Sequence, residues 1–257
     1  MEKISLEFTH NESVARIILN DGKGNVLDSV MMKDLHNVFA ELKNNNNIKL
    51  ITFEGAGKHF SFGASVPEHT KSEAGKMLDS FHKLFYELID MSIPTMAKIS
   101  GQCLGGGMEL ALICNFLFAD KTAKLGQPEI ILGVFPPPAS LLLPLKIGWA
   151  RAEELLITGK TITAEEAKAL GLLNDVFDDR ETMESKLNEW IEKNIVPKSS
   201  SSLQYSVRAA RVRFNKVVKK SLPKLEQMYL TGLMETDDAN EGINAFCEKR
   251  SPEWKNR

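Results

Sequence analysis

The chain has 257 residues, 43% of them hydrophobic and 26% charged, which is enough apolar material to bury one large core. A formal net charge of -2 supplies no basic field for nucleic acid, and no apolar run reaches the length of a membrane span. The three cysteines, Cys103, Cys114 and Cys247, lie far apart and form no metal-ligand or redox pair, so the expectation is a reducing, cytoplasmic setting and no metal site.

The first elements alternate between strand and helix. Ile4, Leu6 and Phe8 alternate with polar residues, and Val14 to Leu19 forms a second β-rich run. The opening MEKISLEFTH carries no leader-like apolar stretch, so the sequon at Asn11 has no secretory context. Met31, Leu35, Val38, Phe39 and Leu42 recur at helical spacing up to an asparagine tract at 44–47. Leu50 to Phe53 is a buried-strand candidate running into Gly55-Ala56-Gly57. Leu78, Phe81, Leu84, Phe85, Leu88 and Ile89 describe a second helix, stopped by Pro94. Thr95 to Ile99 is a short strand, the turn and helix of Gly101 to Cys114 follow, and Asn115 to Ala119 is again strand-like. Thr163 and Glu166 make a capping box before a helix that stops near Gly171. After Pro197 a serine tract at 199–202 marks a hinge or cap, and everything beyond it reads as helix. The pattern predicts an α/β core over residues 1–197 and a helical C-terminal region over 198–257.

The chemistry concentrates in Gly101-Gln-Cys-Leu-Gly-Gly-Gly-Met-Glu-Leu-Ala-Leu, between a strand and an apolar helix. Consecutive glycines at 105–107 let backbone N–H groups approach a ligand, and the helix adds its positive end. Such a device suits a phosphate, or an oxygen that becomes negative during reaction. The phosphate motifs fail on detail. Gly107-Met108 stands where a P-loop needs Lys-Ser/Thr, and Leu110 replaces the last glycine of a dinucleotide fingerprint. Glu109 alone reads as a favourable anion at a helix start. Glu129, twenty residues on in Gly126-Gln-Pro-Glu-Ile, changes that, because a carboxylate beside an apolar loop is not needed for solubility. Two converging carboxylates can supply a base and an acid.

These residues carry a resemblance to the crotonase (enoyl-CoA hydratase/isomerase) family. The runs GGGMELAL, GQPEI and TGKTITAEEAKALGLLNDVF are jointly specific, and the likeness extends to the C-terminal Glu241–Arg250 segment. It implies a spiral of ββα units with a helical C-terminal oligomerisation region, assembled as a homotrimer or a dimer of trimers. It also implies an acyl-CoA substrate and no separate cofactor, since coenzyme A is part of that substrate. By resemblance, the N–H groups of Ala64 and Gly106 grip the thioester oxygen. Glu109 orients or deprotonates water, and Glu129 delivers a proton to carbon. Members that only isomerise usually lack one of these carboxylates, so the pair favours hydration. Lys23, Asn25 and Val26 match the N-terminal loop that helps hold the coenzyme through backbone contacts. Lys249 matches a segment that reaches the nucleotide end in some members, though a solvated helix end is the favoured reading.

Two departures bear on the acyl group. The oxyanion segment, commonly Ala-Gly-Ala-Asp, is Phe62-Gly63-Ala64-Ser65 here, and the loop after Glu129 reads Gly133-Val-Phe-Pro-Pro-Pro-Ala-Ser where Gly-x-x-Pro-Gly-x-Gly-Gly is usual. Prolines fix φ and remove N–H donors, which makes a stiffer wall. Phe60 reads as core; Phe62 and Phe135 read equally as core or as flat acyl surface. This combination resembles the family's cyclohexa-1,5-diene-1-carbonyl-CoA hydratases, which implies conversion of that dienoyl ester to 6-hydroxycyclohex-1-ene-1-carbonyl-CoA. A short-chain enoyl-CoA hydratase, an isomerase or a thioester hydrolase stands as the alternative within the family. Outside it stands a catalytically silent acyl-CoA- or RNA-binding scaffold.

The remaining reactive residues point elsewhere. His10, His36, His59, His69 and His82 form no metal-binding pattern, and His59 reads as a loop residue. Cys103 reads as a small buried thiol, and the basic stretch Arg208 to Lys220 as a solvated face or subunit contact.

Overall fold

A computed structural model describes all 257 residues. Strands β1 (Ile4–Thr9) and β2 (Val14–Leu19) form an antiparallel pair, followed by helix α1 (Ser29–Lys43), strand β3 (Leu50–Gly55) and helix α2 (Ala74–Met91). Next come β4 (Thr95–Ile99), β5 (Gln102–Leu104), α3 (Gly106–Leu112), β6 (Phe116–Asp120) and β7 (Lys124–Gly126). A short 3-10 helix over Pro128–Leu132 leads to α4 (Pro137–Ile147) and α5 (Trp149–Thr158). The chain continues through β8 (Thr161–Thr163), α6 (Ala164–Ala169), β9 (Asp175–Phe177) and α7 (Arg180–Asn194). It ends in α8 (Ser200–Ala210), α9 (Val212–Thr231) and α10 (Asp237–Cys247).

The strands sort into two layers. A six-stranded sheet has the order β1-β2-β3-β4-β6-β9, parallel except at β1, and a smaller sheet has the order β5-β7-β8. Lone bridges Leu27–Ala64 and Ser61–Cys103 extend the smaller layer. Each turn of chain therefore places a strand in the large sheet, an extended segment in the small layer, and then a helix. β2, Leu27 and α1 make one such turn; β3, the 61–64 segment and α2 the next; β4, β5 and α3 a third. This is the expected spiral of ββα units.

Local sequence explains the element ends. Asp28 caps α1 by accepting from the Met31 N–H at 3.0 Å, and Met31, Met32, Leu35, Val38, Phe39 and Leu42 face the core. The Thr163–Glu166 capping box forms as expected. Two expectations fail near the C-terminus. The chain beyond Pro197 is not all helix, because residues 251–257 run without regular structure over α10, where the Arg257 carbonyl accepts from the Asp237 N–H at 2.9 Å. The basic stretch is not all solvated either. Arg211 reaches inward to the carbonyls of Ile113 (2.6 Å) and Cys114 (2.7 Å), the unsatisfied C-terminal end of α3.

One charge cluster sits inside the large sheet. Glu54 of β3 is 1% exposed and meets Arg16 of β2, Lys98 of β4 at 3.0 Å and Arg180 of α7 at 3.8 Å, while Lys98 also holds Glu184 at 2.8 Å. Burial pushes the Glu54 carboxyl up, but Lys98 and Arg16 more than offset this and hold it down to about 2. A folded value below the ordinary 4.5 means a contribution fully present above that pH and lost as pH falls toward about 2. Glu54→Ala takes the shared carboxylate from Arg16, Lys98 and Arg180, leaves the buried Lys98 with Glu184 alone, and is expected to lower stability by about 3 kcal/mol in urea unfolding at neutral pH. The gap between the two proteins should narrow as the solution is acidified below 4.5; an unchanging gap would contradict this account.

Candidate active site

Two turns of the spiral meet at the 63–64 segment and the start of α3. Gly63 adopts φ 108° and its carbonyl accepts from the Leu27 N–H at 2.9 Å, while the Ser65 N–H bonds the Leu27 carbonyl at 3.3 Å. This pairing passes over Ala64, whose own N–H makes no hydrogen bond within the chain. The Gly106 N–H opens α3, where a helix has no acceptor of its own. The two amides are close neighbours: a Cβ on Gly106 would lie 3.0 Å from the Ala64 nitrogen.

The glycines serve different ends. Gly105, at φ 49°, would drive a Cβ to 2.6 Å from Oε1 of Glu129, so its bareness admits that carboxylate. A Cβ on Gly107 would instead strike Ser61 at 2.5 Å, a packing requirement away from any ligand.

Glu109, in the first turn of α3, is 4% exposed and its Oε1 accepts from the Ala139 N–H at 2.8 Å. Glu129, in the 3-10 helix, is half-buried. The fully buried Gln127, turned with its NH2 toward that carboxylate, donates to Oε1 at 3.1 Å and Oε2 at 3.0 Å. Burial and the neighbouring Glu129 charge push the Glu109 carboxyl well up, against the Ala139 hydrogen bond that favours its charged form. Burial pushes Glu129 up to about 8. Two carboxyls with raised values and no cation beside them hold protons to higher pH than exposed glutamates do.

Ala64, Gly106, Glu109 and Glu129 line a single cavity. Its walls are Phe62, Val66, Met77, Leu78, Phe81 and Phe135, the prolines 136 and 137 close one side, and Tyr229 of α9 and Ile243 of α10 form the roof. Phe60 is a core residue, 0% exposed; Phe62 is 47% exposed at the cavity edge, and Phe135 packs edge-on to Tyr229. Donors that could polarise a carbonyl thus face two carboxyls that can move protons, in apolar surroundings.

The other expected residues lie outside this cavity. The backbone N–H groups of Lys23, Asn25 and Val26 all point to the Asp21 carboxylate, at 2.8, 2.7 and 2.8 Å. Asp21 thus fixes the shape of this loop and takes its backbone donors, which leaves its carbonyls as the backbone groups that could contact a coenzyme. The Asn25 side chain is buried too, donating to the carbonyls of Ala56, His59 and Phe60, so it ties two loops together. The exposed Lys23 side chain is left as the loop's outward-facing cation. Ser65 precedes the short Val66–His69 helix, and Lys249 is exposed in the turn after α10. His59 is engaged by its loop, Nδ1 accepting from the Gln102 N–H at 3.1 Å. Cys103 is fully buried, and burial raises its thiol far above the ordinary value.

Sequence reading missed Gln127, His69, Tyr229, Ile243 and the α2 residues Met77, Leu78 and Phe81. The α2 residues have the spacing of ordinary core, and the roof residues stand about a hundred positions beyond the carboxylates. Gln127 adjoins Glu129, so its place was within reach.

A family model described as enoyl-CoA hydratase/isomerase matches residues 9–257. A cyclohexa-1,5-dienecarbonyl-CoA hydratase of Thauera aromatica is 41% identical over 245 residues, covering 95% of this chain and 94% of that protein. A 2,3-dehydroadipyl-CoA hydratase of Escherichia coli is 30% identical and covers 91% of each. Among solved structures, an enoyl-CoA hydratase from Mycobacterium avium subsp. paratuberculosis shares the fold at a TM-score of 0.86, with 20% identity and 99% of both chains covered.

The geometry predicts that the two carboxyls sense each other. Glu129→Gln removes one of the two forces raising Glu109, so the Glu109 titration, followed by carboxyl infrared bands or NMR, should move down. A Glu109 titration identical in both proteins would mean that the carboxyls do not interact.

Proposed function

The chain belongs to the enoyl-CoA hydratase/isomerase family and is a hydratase of acyl-CoA thioesters, and we propose that its acyl group is cyclohexa-1,5-diene-1-carbonyl. The observation that carries this reading is the pair Glu109 and Glu129 in one apolar cavity with the Ala64 and Gly106 amides. The likeness to the Thauera aromatica enzyme supports the cyclic substrate, as do the flat Phe62 and Phe135 and the stiff proline wall.

In this reading the thioester oxygen accepts from Ala64 and Gly106. Glu109 takes a proton from water, and the water oxygen bonds to the ring carbon β to the carbonyl. The electron pair of that double bond moves onto the carbonyl-bearing carbon, from which negative charge spreads onto the thioester oxygen, where the two N–H donors hold it. The resulting dienolate extends through the second double bond and takes its proton from Glu129 at the far end, across the ring from the new hydroxyl. The remaining double bond then joins the carbonyl-bearing carbon to its other neighbour, giving 6-hydroxycyclohex-1-ene-1-carbonyl-CoA. Both hydrogens and the oxygen of water are accounted for. The proton that Glu109 gains passes back to Glu129 before the next turnover.

Assembly as a homotrimer or dimer of trimers is part of the same proposal. Exposed Ile131, Trp149 and Ile157 offer apolar surface for such contacts.

Glu109→Gln and Glu129→Gln should each lower hydration by about 10²–10⁴-fold while leaving CoA-ester binding largely intact. Wild-type turnover in either would remove the two-carboxylate mechanism. In D2O, the product should carry deuterium on the ring carbon opposite the hydroxyl-bearing carbon, read by NMR. Crotonyl-CoA turned over far faster than the cyclic diene would overturn the substrate assignment.

A further inference from the structure

The roof of the cavity holds a polar group that the mechanism has not used. Tyr229 is 1% exposed, its ring packs on Phe135 (centroids 5.4 Å apart, 65° between planes), and its hydroxyl has no hydrogen-bond partner within the chain. A buried hydroxyl without a partner costs about 1–3 kcal/mol, and phenylalanine would fill the same space without that cost. Tyr229 lines the same cavity as Glu109 and Glu129, and burial together with both carboxylate charges raises its hydroxyl above that of free tyrosine. It therefore stays protonated and able to donate.

Its partner follows by elimination. The thioester oxygen already has the Ala64 and Gly106 donors, and the ring of the proposed substrate has no polar atom. The one further polar atom that enters is the oxygen being added. Most other candidate donors along the wall are missing or already engaged. Residues 136–138 are prolines without N–H groups, the Ala139 N–H goes to Glu109, and the Ser140 N–H goes to the Pro136 carbonyl at 2.9 Å. His69 donates Nδ1–H to the Ser65 carbonyl at 2.8 Å, and burial lowers its value, so its other nitrogen is an acceptor.

We propose that the Tyr229 hydroxyl donates a hydrogen bond to the oxygen that is added, first as water and then as the product's hydroxyl. The inference rests on the hydratase reading above. Water uses its hydrogens on the carboxyl pair and one lone pair on carbon, leaving the second lone pair for Tyr229. As Glu109 draws off the proton, the oxygen becomes hydroxide-like, and a donor aimed at it stabilises that charge. In the reverse direction the same donor assists the departing hydroxide. Tyr229 replaces the helix N-terminal donors that the proline wall has removed.

Tyr229→Phe deletes one oxygen atom and tests this directly. Calorimetric binding is measured for 6-hydroxycyclohex-1-ene-1-carbonyl-CoA and its deoxy analogue cyclohex-1-ene-1-carbonyl-CoA, with 3-hydroxybutyryl-CoA and butyryl-CoA as a straight-chain pair. The variant should bind the hydroxylated ester of a pair about tenfold more weakly and the deoxy ester unchanged. Its kcat should fall in both directions with KM for the unsaturated ester preserved, and its thermal midpoint should not drop. Loss of affinity for both esters alike, or for neither, overturns the role of Tyr229. A hydroxyl-specific loss confined to the straight-chain pair supports Tyr229 and overturns the cyclic substrate instead.

Discussion

The site depends on one close crossing, where the backbone at Gly105–Gly106 passes the 63–64 segment and the Glu129 carboxylate without side chains between them. Even a methyl group on Gly106 would press on the Ala64 nitrogen at 3.0 Å, and one on Gly105 would sit 2.6 Å from Glu129. Two backbone donors and one carboxylate owe their spacing to missing Cβ atoms. The large sheet below supplies the rigidity. β3 and β4 deliver the two loops from adjacent parallel strands, so any slip in that register would separate the donors.

The protein treats its two buried carboxylate clusters in opposite ways. Glu54 is ringed by Arg16, Lys98 and Arg180 and remains charged. Glu109 and Glu129 face each other with backbone and amide donors but no cation. The first arrangement stores stability, and the second favours the protonated form of a carboxyl, the form that can donate. A cation beside the second pair would make it sturdier and chemically inert.

Much of this was legible in the chain because local rules govern it. The alternation of patterns gave the α/β core, the 163–166 capping box formed as read, and GGGMELAL with GQPEI located both carboxylates. Expectations failed where a residue's partner is distant. Arg211 looked solvated because its acceptors, Ile113 and Cys114, lie about a hundred residues earlier. Pro223 sits inside α9 without ending it, since tertiary packing of Leu222 and Tyr229 outweighs a lost hydrogen bond.

The position of the roof bears on what keeps the site dry. Both carboxylates and both amide donors lie in its first 129 residues, whereas Tyr229 and Ile243 belong to helices near the end of the chain, and Arg211 clasps the far end of α3. Without those helices the cavity over the acid pair would stand open to water. The dry environment that raises those two carboxyls arrives only when α9 and α10 dock. The dryness of the reactive centre is therefore held by the docking of two helices that carry neither carboxylate, and loosening that docking would wet the site without touching its acids.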